Sequence, residues 1–323
     1  MSAMIRTVTL NPAVDRTVSV ARFAVGEVNR VVSTRLDAGG KGLNVSKALA
    51  AIGAKSVAYA LLAGAAGRFV DAYLERLGIE RRVLWIEGET RTNLKIVDPV
   101  LDTHTDVNEQ GPAISAAELG RFEALVFGEL EPGDVIVLSG SVGNGVDPGV
   151  YAAWTARARE AGALVILDAD GAALARGVEA KPSLVKPNLE ELERLAAERF
   201  RSGPGEAPDP GAVAGAARRL VESGVGAVVV SLGADGAIFV APGLALRARG
   251  IPLKAASTVG AGDSLVAALA LGLSRRQALG ELVAPAVAAG TAAAAATGSA
   301  PLDPALMASF IPKVVVETLE ETK

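Results

Sequence analysis

The chain of 323 residues carries 32 basic and 36 acidic side chains, and its net charge of -4 gives no electrostatic reason to expect a nucleic-acid or anionic-membrane partner. Half of the residues are apolar, which excludes an intrinsically disordered chain. There is no cysteine and a single histidine, His104, so disulfides and thiolate metal sites are excluded and a Ser-His triad is not expected. Any catalysis must use carboxylates, lysine, arginine or backbone amides.

Neither the first residues nor the most alanine-rich segment is typical of export or membrane insertion. The start, MSAMIRTVTLN, lacks the apolar core of a signal peptide. Residues 284–296 are rich in alanine, contain Pro285 and Gly290, and are too few to span a bilayer. We therefore expect a soluble cytoplasmic protein without a membrane partner.

Short β-branched runs alternate with longer alanine-rich segments, which predicts an α/β fold with a mainly parallel central sheet and helices on both faces. The predicted central strands are, in chain order, TVTLN, SVAYALLAG, DVIVLSG, LVILDAD, LVKPN and GAVVVSLG. Ligands in such sheets bind at the carboxyl ends of the strands. Two windows, within residues 15–36 and 91–107, alternate apolar and polar residues without an intervening helix, and we predict that they form a small added β-layer.

The first two motifs place polar residues or glycines beside the ends of predicted strands and helices. TLNPAVDRT places Asp15 four residues after Asn11, where a carboxylate can accept hydrogen bonds from sugar hydroxyls, although a turn-forming aspartate explains it equally well. DAGGKGLNVSKALAAIG has Gly39 and Gly40 before a helix, with Lys41 in the turn. This arrangement suits an anion at the helix start, and a tight connection with a solvated lysine is the alternative.

RTNLKI places Arg91, Asn93 and Lys95 at alternate positions, so in a strand all three lie on one face. Two cations and an amide on one face form a cradle for a sugar phosphate. The polar outer face of an edge strand is the alternative.

VKPNLEELERL places Lys186 and Asn188 at a strand end and Glu191 in the next helical turn. Asn188 and Glu191 could contact Mg²⁺ through water, because this ion keeps its hydration shell. A capping box formed by Asn188 and Glu191 is the alternative, and the two roles are compatible.

STVGAGDSLVAALALGL brings a glycine-rich turn directly before an apolar helix. Gly260 and Gly262 allow backbone N–H groups to approach an anion at the helix start. Asp263 is then either a catalytic base, ionised with an ordinary pKa near ~4, or a simple N-cap. The signatures GxxxxGK[ST] and GxGxxG after a strand are absent, so the chain has the motif of neither a P-loop protein nor a dinucleotide-binding enzyme.

Seven segments occur in the order and roughly the spacing of the ribokinase-like carbohydrate kinases: TLNPAVDRT, GGKGLNVSKALAAIG, RTNLKI, VLSGSV, VKPNLEE, VVVSLGADGA and STVGAGDS. The chain resembles the sugar-phosphate branch of this family, the PfkB group, over nearly its whole length. Two departures are Leu61 and Leu62 in place of a glycine-containing run, and Gly143 and Asn144 in place of a usual proline. Neither removes a proposed catalytic residue.

The resemblance implies one ribokinase-like domain over residues 1–323, with the small β-sheet as a lid, that moves the γ-phosphate of ATP, with Mg²⁺, to a sugar-phosphate hydroxyl. It implies that Asp263 is the general base and that Gly260, Ala261 and Gly262 form an anion hole. The residues implied at the sugar phosphate are Asp15, Gly39, Gly40, Lys41, Asn44 and Arg91. Those expected on the nucleotide and Mg²⁺ side are Lys186, Asn188, Glu191, Ser231, Gly233 and Thr258. By analogy with the wider family, the lid is a homodimer interface.

The acceptor is less sharply defined than the reaction. Lys41 within GGKG favours a substrate that already bears a phosphate, and fructose 1-phosphate is the first choice, with tagatose 6-phosphate and fructose 6-phosphate as alternatives. A catalytically silent sugar-phosphate sensor on the same fold is the alternative of another class. An intact Asp263, anion hole and NxxE element argue against it.

Overall fold

Fully buried strands form the centre of a large sheet. In the computed structural model, which describes residues 3–203, 206–253, 260–296 and 302–319, every residue of β1 (Ile5–Thr9), β4 (Ser56–Leu62) and β8 (Val135–Ser139) is buried. Strands covered on both faces have no need of polar alternation, which is why these segments read as continuous β-branched runs. The three strands are parallel neighbours in the order β8-β1-β4.

The large sheet is parallel at its centre and antiparallel at one end. Its other strands are β5 (Glu80–Trp85), β9 (Leu164–Asp168), β10 (Leu184–Val185), β11 (Val228–Ser231), β12 (Gly236–Ala241), β13 (Leu244–Arg249) and β14 (Val316–Thr318). Among the described residues the order is β14-β13-β12-β11-β10-β9-β8-β1-β4-β5. Pairs from β11 to β5 are parallel, and those from β11 to β14 are antiparallel. All six predicted central strands are confirmed.

Helices cover both faces of this sheet, as predicted. They are α1 (Lys41–Ala51), α2 (Gly64–Arg76), α3 (Ala116–Phe127), α4 (Val150–Glu160), α5 (Gly171–Glu179), α6 (Leu189–Ala196), α7 (Pro210–Glu222), α8 (Ala261–Ser274), α9 (Leu279–Ala295) and α10 (Pro304–Phe310). Alternate residues of β8 enter two different cores: Ile136 belongs to the core that includes residues of α3, α4 and α7, whereas Val137 belongs to the core that includes residues of α1, α8 and α9. No helix in the described ranges is long and apolar enough to cross a membrane.

A second, small sheet takes its strands from the two windows of alternating sequence. Its strands are β2 (Ala13–Ser19), β3 (Ser33–Gly39), β6 (Arg91–Asp98) and β7 (Thr103–Asn108), ordered β3-β2-β6-β7 in the described part of the chain. β3 runs directly into α1 through Gly40, whose φ of 110° lies in the region that favours glycine. The small sheet is thereby joined to the helix that begins with Lys41.

The two departures from the family pattern fall at ordinary structural positions. Leu61 and Leu62 are buried core residues at the end of β4, with 2% and 0% exposure. Gly143 has a φ of 88°, and a Cβ there would lie 2.7 Å from Cδ1 of Ile114. Glycine therefore fits this loop.

Candidate active site

A buried carboxylate joins two lysines at the carboxyl ends of the parallel strands. Asp168 ends β9 and is 0% exposed, and its Oδ1 lies 3.0 Å from Nζ of Lys41 and 3.3 Å from Nζ of Lys186. Burial acts to raise the pKa of Asp168, but Lys186 and Lys41 outweigh it and leave the pKa lowered. Asp168 is therefore ionised, and it ties the first residue of α1 to the residue that follows β10.

Lys41 is part of this ion-pair chain and is not a freely solvated lysine. Burial acts to lower its pKa, but Asp168, Glu191 and Asp263 together raise the pKa above its ordinary value. Its side chain keeps 35% exposure, so the ammonium can still meet a ligand. Lys41 therefore carries a permanent positive charge at the start of α1, as the sequence predicts.

Asp263 lies in the first turn of α8 but is not the cap of that helix. The helix begins at Ala261 with Gly260 at the N-cap, whose φ of 78° favours glycine. The carboxylate of Asp263 accepts a hydrogen bond of 2.8 Å from Nδ2 of Asn44 on α1. The two glycine-rich helix starts therefore meet at one place, although residues 44 and 263 are far apart in the chain.

The expectation of an ordinary pKa for Asp263 was wrong. Burial, supported by the nearby charge of Asp168, raises its pKa to about 6, against the opposing effect of Lys41, Asn44 and Lys186. The side chain is 7% exposed, so water screens these charges poorly. At neutral pH the carboxylate is still mostly ionised, and its affinity for a proton is close to what a general base needs.

Asp15 and Asn93 face each other on the small sheet. They are Cα partners of β2 and β6, and Nδ2 of Asn93 donates to Oδ1 of Asp15 at 2.9 Å. The backbone of Gly39 lies close to the same carboxylate, because a Cβ on Gly39 would lie 2.2 Å from Oδ2 of Asp15. Glycine at position 39 therefore allows the approach of this acid to the turn before α1.

Arg91 and Lys95 lie on the same strand as Asn93 but make different contacts. Nη2 of Arg91 donates to the carbonyl of Asn11 at 3.2 Å, which brings the small sheet to the end of β1. Nζ of Lys95 lies 3.6 Å from Oδ1 of Asp106 on β7. The structure therefore pairs Lys95 within the small sheet and directs Arg91 to the strand ends.

Asn188 and Glu191 form the predicted capping box at the start of α6. Glu191 N donates to Oδ1 of Asn188, and Asn188 N donates to Oε2 of Glu191, each at 2.8 Å. Asn188 also forms a parallel bridge with Ser231, the last residue of β11, and Gly233 follows in a short 3₁₀ turn. Thr258 lies outside the described residues.

A cavity of about 490 Å³ opens beside Arg91. Its lining residues are Glu87, Gly88, Glu89, Arg91, Glu109, Gly111, Pro112 and Ala113. Within the described residues it contains Arg91 but not Asp263, so the cavity alone does not locate the reacting group.

Comparison with known proteins places this geometry in a family. The sequence profile of the pfkB family carbohydrate kinases matches residues 8–306. The chain belongs to the pfkB family of carbohydrate kinases. Over 270 residues it is 42% identical to the 1-phosphofructokinase of Rhodobacter capsulatus, covering 83% of each chain.

Solved structures of kinases share the fold of this pfkB-family protein. The phosphofructokinase-2 of Escherichia coli, in complex with substrates and products, superposes with a TM-score of 0.90 at 30% identity, over 97% of this chain and 99% of the other. A ribokinase from Thermotoga maritima gives a TM-score of 0.76 at 22% identity, over 96% and 99% of the two chains, and shows the fold alone. The predicted ribokinase-like fold and the assignment as a phosphotransferase are confirmed.

Sequence reasoning did not find Asp168 in this pfkB-family site. The available signal was its position, since LVILDAD is a buried strand that ends in an acid at the edge where ligands bind. Its partners Lys41 and Lys186 come from other elements, so their pairing with Asp168 is not readable from any single motif.

Proposed function

We propose that this kinase transfers the γ-phosphoryl group of ATP to the 6-hydroxyl of fructose 1-phosphate, giving fructose 1,6-bisphosphate and ADP. The observation that carries the proposal is the position of Asp263, which is buried in the first turn of α8 and hydrogen-bonded to Asn44 of the other glycine-rich helix. A carboxylate and the N-terminus of a helix at one point are what a hydroxyl acceptor and a transferring phosphoryl group require.

In this mechanism Asp263 is the general base. As the acceptor oxygen bonds to phosphorus, its proton passes to the carboxylate, and the bond between the γ-phosphorus and the ADP oxygen breaks. The first N–H groups of α8, at Ala261, Gly262 and Asp263, have no acceptor within the helix and provide an anion hole for the phosphoryl oxygens. Lys186 lies beside this turn, since a Cβ on Gly262 would be in ordinary contact with its Nζ at 3.7 Å.

Buried acceptor atoms without partners support a polyhydroxyl substrate. Among the described residues, Asn44 Oδ1, Asn93 Oδ1 and Asp168 Oδ2 are buried and make no hydrogen bond within the protein. Such atoms are unfavourable unless a donor reaches them, and sugar hydroxyls are donors of this kind.

In the proposed complex the sugar hydroxyls would be held by Asp15, Asn44 and Asn93, and the phosphate by Lys41 and Arg91. Gly39 and Gly40 would let the backbone approach, and Lys95 would contribute charge from further out.

The nucleotide would lie along Lys186, Asn188, Ser231 and Gly233. Mg²⁺ fits here only through water, because Asn188 and Glu191 already bond each other, and no group of three or more acidic or histidine side chains able to hold a metal occurs among the described residues. Glu191 would orient a hydrated ion. When bound, Mg²⁺ would neutralise charge on the nucleotide phosphates.

The choice of fructose 1-phosphate rests on sequence identity. The Rhodobacter capsulatus relative, at 42% identity, is named 1-phosphofructokinase, whereas the Escherichia coli phosphofructokinase-2 is at 30%. Lys41, a permanent cation near Asp263, agrees with an acceptor that already carries a phosphate. Tagatose 6-phosphate and fructose 6-phosphate are the alternatives within the family.

The test is ADP formation from Mg-ATP with fructose 1-phosphate, tagatose 6-phosphate, fructose 6-phosphate and unphosphorylated fructose supplied separately. We expect kcat/KM for fructose 1-phosphate to exceed the others by ~10²-fold, about 3 kcal/mol of transition-state discrimination. A larger value for another sugar phosphate would move the assignment to that substrate. Binding of sugar phosphate without turnover would support a sensor and contradict the kinase.

We also propose that the small sheet serves as a homodimer interface. Val25, Val28 and Val32, in the segment that joins β2 and β3, are 92%, 81% and 74% exposed. Apolar side chains so exposed in one segment are typical of a protein contact surface. Sedimentation velocity should give about twice the mass of a single chain, and Val28→Glu should shift it to the single-chain mass. A wild-type protein sedimenting as a single chain at assay concentration would contradict the dimer.

A further inference from the structure

A second lysine of α1 is buried beneath the proposed sugar site. Lys47 is 7% exposed, and its Nζ donates a hydrogen bond of 2.5 Å to the carbonyl of Ala38. Ala38 immediately precedes Gly39 at the end of β3. The bond therefore ties the last residues of this strand to the helix that follows it.

Lys47 also lies among carboxylates that repel each other. Asp15 and Asp37 are Cα partners across β2 and β3, so their side chains lie on one face of the small sheet, where like charges are destabilising. Burial, with a smaller effect of Arg35, leaves the pKa of Lys47 lowered against the opposing effect of Asp15, Asp37 and Asp263, and all three carboxylates are close enough to act on its charge. Lys47 thus offsets negative charge on both sides of the site.

Further contacts hold this arrangement together. Asp37 accepts hydrogen bonds from Nε of Arg35 at 2.7 Å and from the hydroxyl of Tyr73 at 3.3 Å. The Tyr73 ring centroid lies 5.8 Å from Nζ of Lys47, within the range of a cation–π contact. The buried lysine therefore lies between β3, α1 and α2.

Two groups of the proposed site depend on the position of Lys47. The carboxylate of Asp15 lies close to the backbone of Gly39, which directly follows Ala38, the residue whose carbonyl accepts the hydrogen bond from Lys47. Asn44, which donates to Asp263, precedes Lys47 by three positions on α1 and so lies on the same side of the helix. A displacement at Lys47 would move Asp15 relative to Asn44 and Asp263.

We propose that Lys47 is a positioning residue for the sugar phosphate: its ammonium fixes the end of β3 to α1 and offsets the paired charges of Asp15 and Asp37, which keeps Asp15 in place over the turn. This inference rests on the proposed function, since it assumes that Asp15 binds the acceptor. Lys47 acts through Asp15 and Gly39, which are assigned to the sugar phosphate and not to the nucleotide.

The test compares Lys47→Met, Lys47→Arg and the wild type, with sugar phosphate and ATP varied separately. We expect Lys47→Met to raise KM for the sugar phosphate ~10-fold or more while KM for ATP changes less than ~2-fold, and Lys47→Arg to recover most of the loss. Lys55→Met, at an exposed lysine beyond the end of α1, is the matched control and should leave both values unchanged. Equal effects of Lys47→Met on both substrates would overturn the inference.

A double variant separates charge compensation from packing. Neutralising Asp37 removes the repulsion that Lys47 offsets, so Lys47→Met/Asp37→Asn should bind sugar phosphate more tightly than Lys47→Met. No such recovery would show that Lys47 only fills space. If Lys47→Met does not fold, the test uses the double variant alone, which keeps the net charge of the wild type. A rise of ~3-fold or more in KM for sugar phosphate, without a rise in KM for ATP, supports the inference. Any other pattern overturns it. A wild type without turnover would instead refute the proposed function and, with it, this role of Lys47.

Discussion

Asp263→Asn is expected to lower kcat by ~10²-fold or more while changing KM for sugar phosphate and ATP little, because it removes the proposed base and keeps nearly the same shape. The neighbouring groups remain, since an amide can still accept the hydrogen bond from Asn44. Steady-state kinetics with each substrate varied in turn provides the measurement.

The same variant should alter the pH profile. The pKa of Asp263 is raised to about 6, so the wild-type kcat/KM should fall as the pH drops through this value and the base is protonated. A phosphate monoester also titrates near ~6. The Asp263→Asn profile therefore serves as the reference, because it keeps the contribution of the substrate and loses that of the enzyme.

Asp263→Asn should lower activity but should not lower the stability of the fold. A carboxylate whose pKa is raised on folding contributes stability that is present below its unfolded pKa and lost as the pH rises through about 6. At pH 8 the wild type therefore carries the unfavourable ionised form, and Asp263→Asn does not. We expect the variant to unfold at an equal or higher urea concentration than the wild type.

A capping aspartate supplies the matched control. Asp209 is the N-cap of α7 and accepts a hydrogen bond from Gly211 N at 2.9 Å. Asn caps helices as well as Asp, so Asp209→Asn should change neither turnover nor stability. If Asp263→Asn behaved like Asp209→Asn, with wild-type turnover, Asp263 would have no catalytic role.

Asp168→Asn is expected to lower the free energy of unfolding by about 3 kcal/mol and to reduce kcat/KM. The substitution leaves Lys186, at 4% side-chain exposure, and the partly buried Lys41 without their shared counter-ion, and breaking a buried ion pair is strongly destabilising. Urea unfolding at pH 7 measures the loss.

The Asp168 variant should also shift the acid limb of the pH profile. Asp168 is the nearby charge that raises the pKa of Asp263, so its removal should move the limb below pH 6. Asp147→Asn is the control, because Asp147 pairs with Arg176 on the surface at 74% and 52% exposure and should contribute little. Similar stability losses for both aspartates would show that the Lys41–Asp168–Lys186 chain is no more important than a surface pair.

Structural features that depend on contacts between neighbouring residues were predicted correctly from the sequence. Asn188 and Glu191 are three positions apart, and their capping box was considered as the alternative to a role at Mg²⁺, with the two roles compatible. Continuous apolar runs predicted the buried strands, since both faces of a parallel sheet are covered. One of them, LVKPN, is shorter than predicted, because β10 stops at Val185 before Pro187, which has no N–H to donate.

Contacts between distant parts of the chain were not predictable in the same way. Asn44 and Asp263 are 219 positions apart, and Lys41 and Asp168 are 127 apart. The pKa of Asp263 was wrongly expected to be ordinary. It is raised mainly by burial, and this burial results from the packing of α1 against α8, which no single motif encodes. Asp168 and Lys47 were missed for the same reason: their partners come from other elements.

The most direct test of phosphoryl transfer is to follow the γ-phosphate itself. The protein is incubated with γ-³²P-labelled ATP, Mg²⁺ and fructose 1-phosphate, and the labelled product is identified. We predict one labelled fructose 1,6-bisphosphate for each ADP formed, since the proposed site would hold the sugar hydroxyl, and not water, against Asp263. Label recovered as inorganic phosphate, or fructose 1-phosphate bound without any transfer, would contradict the account.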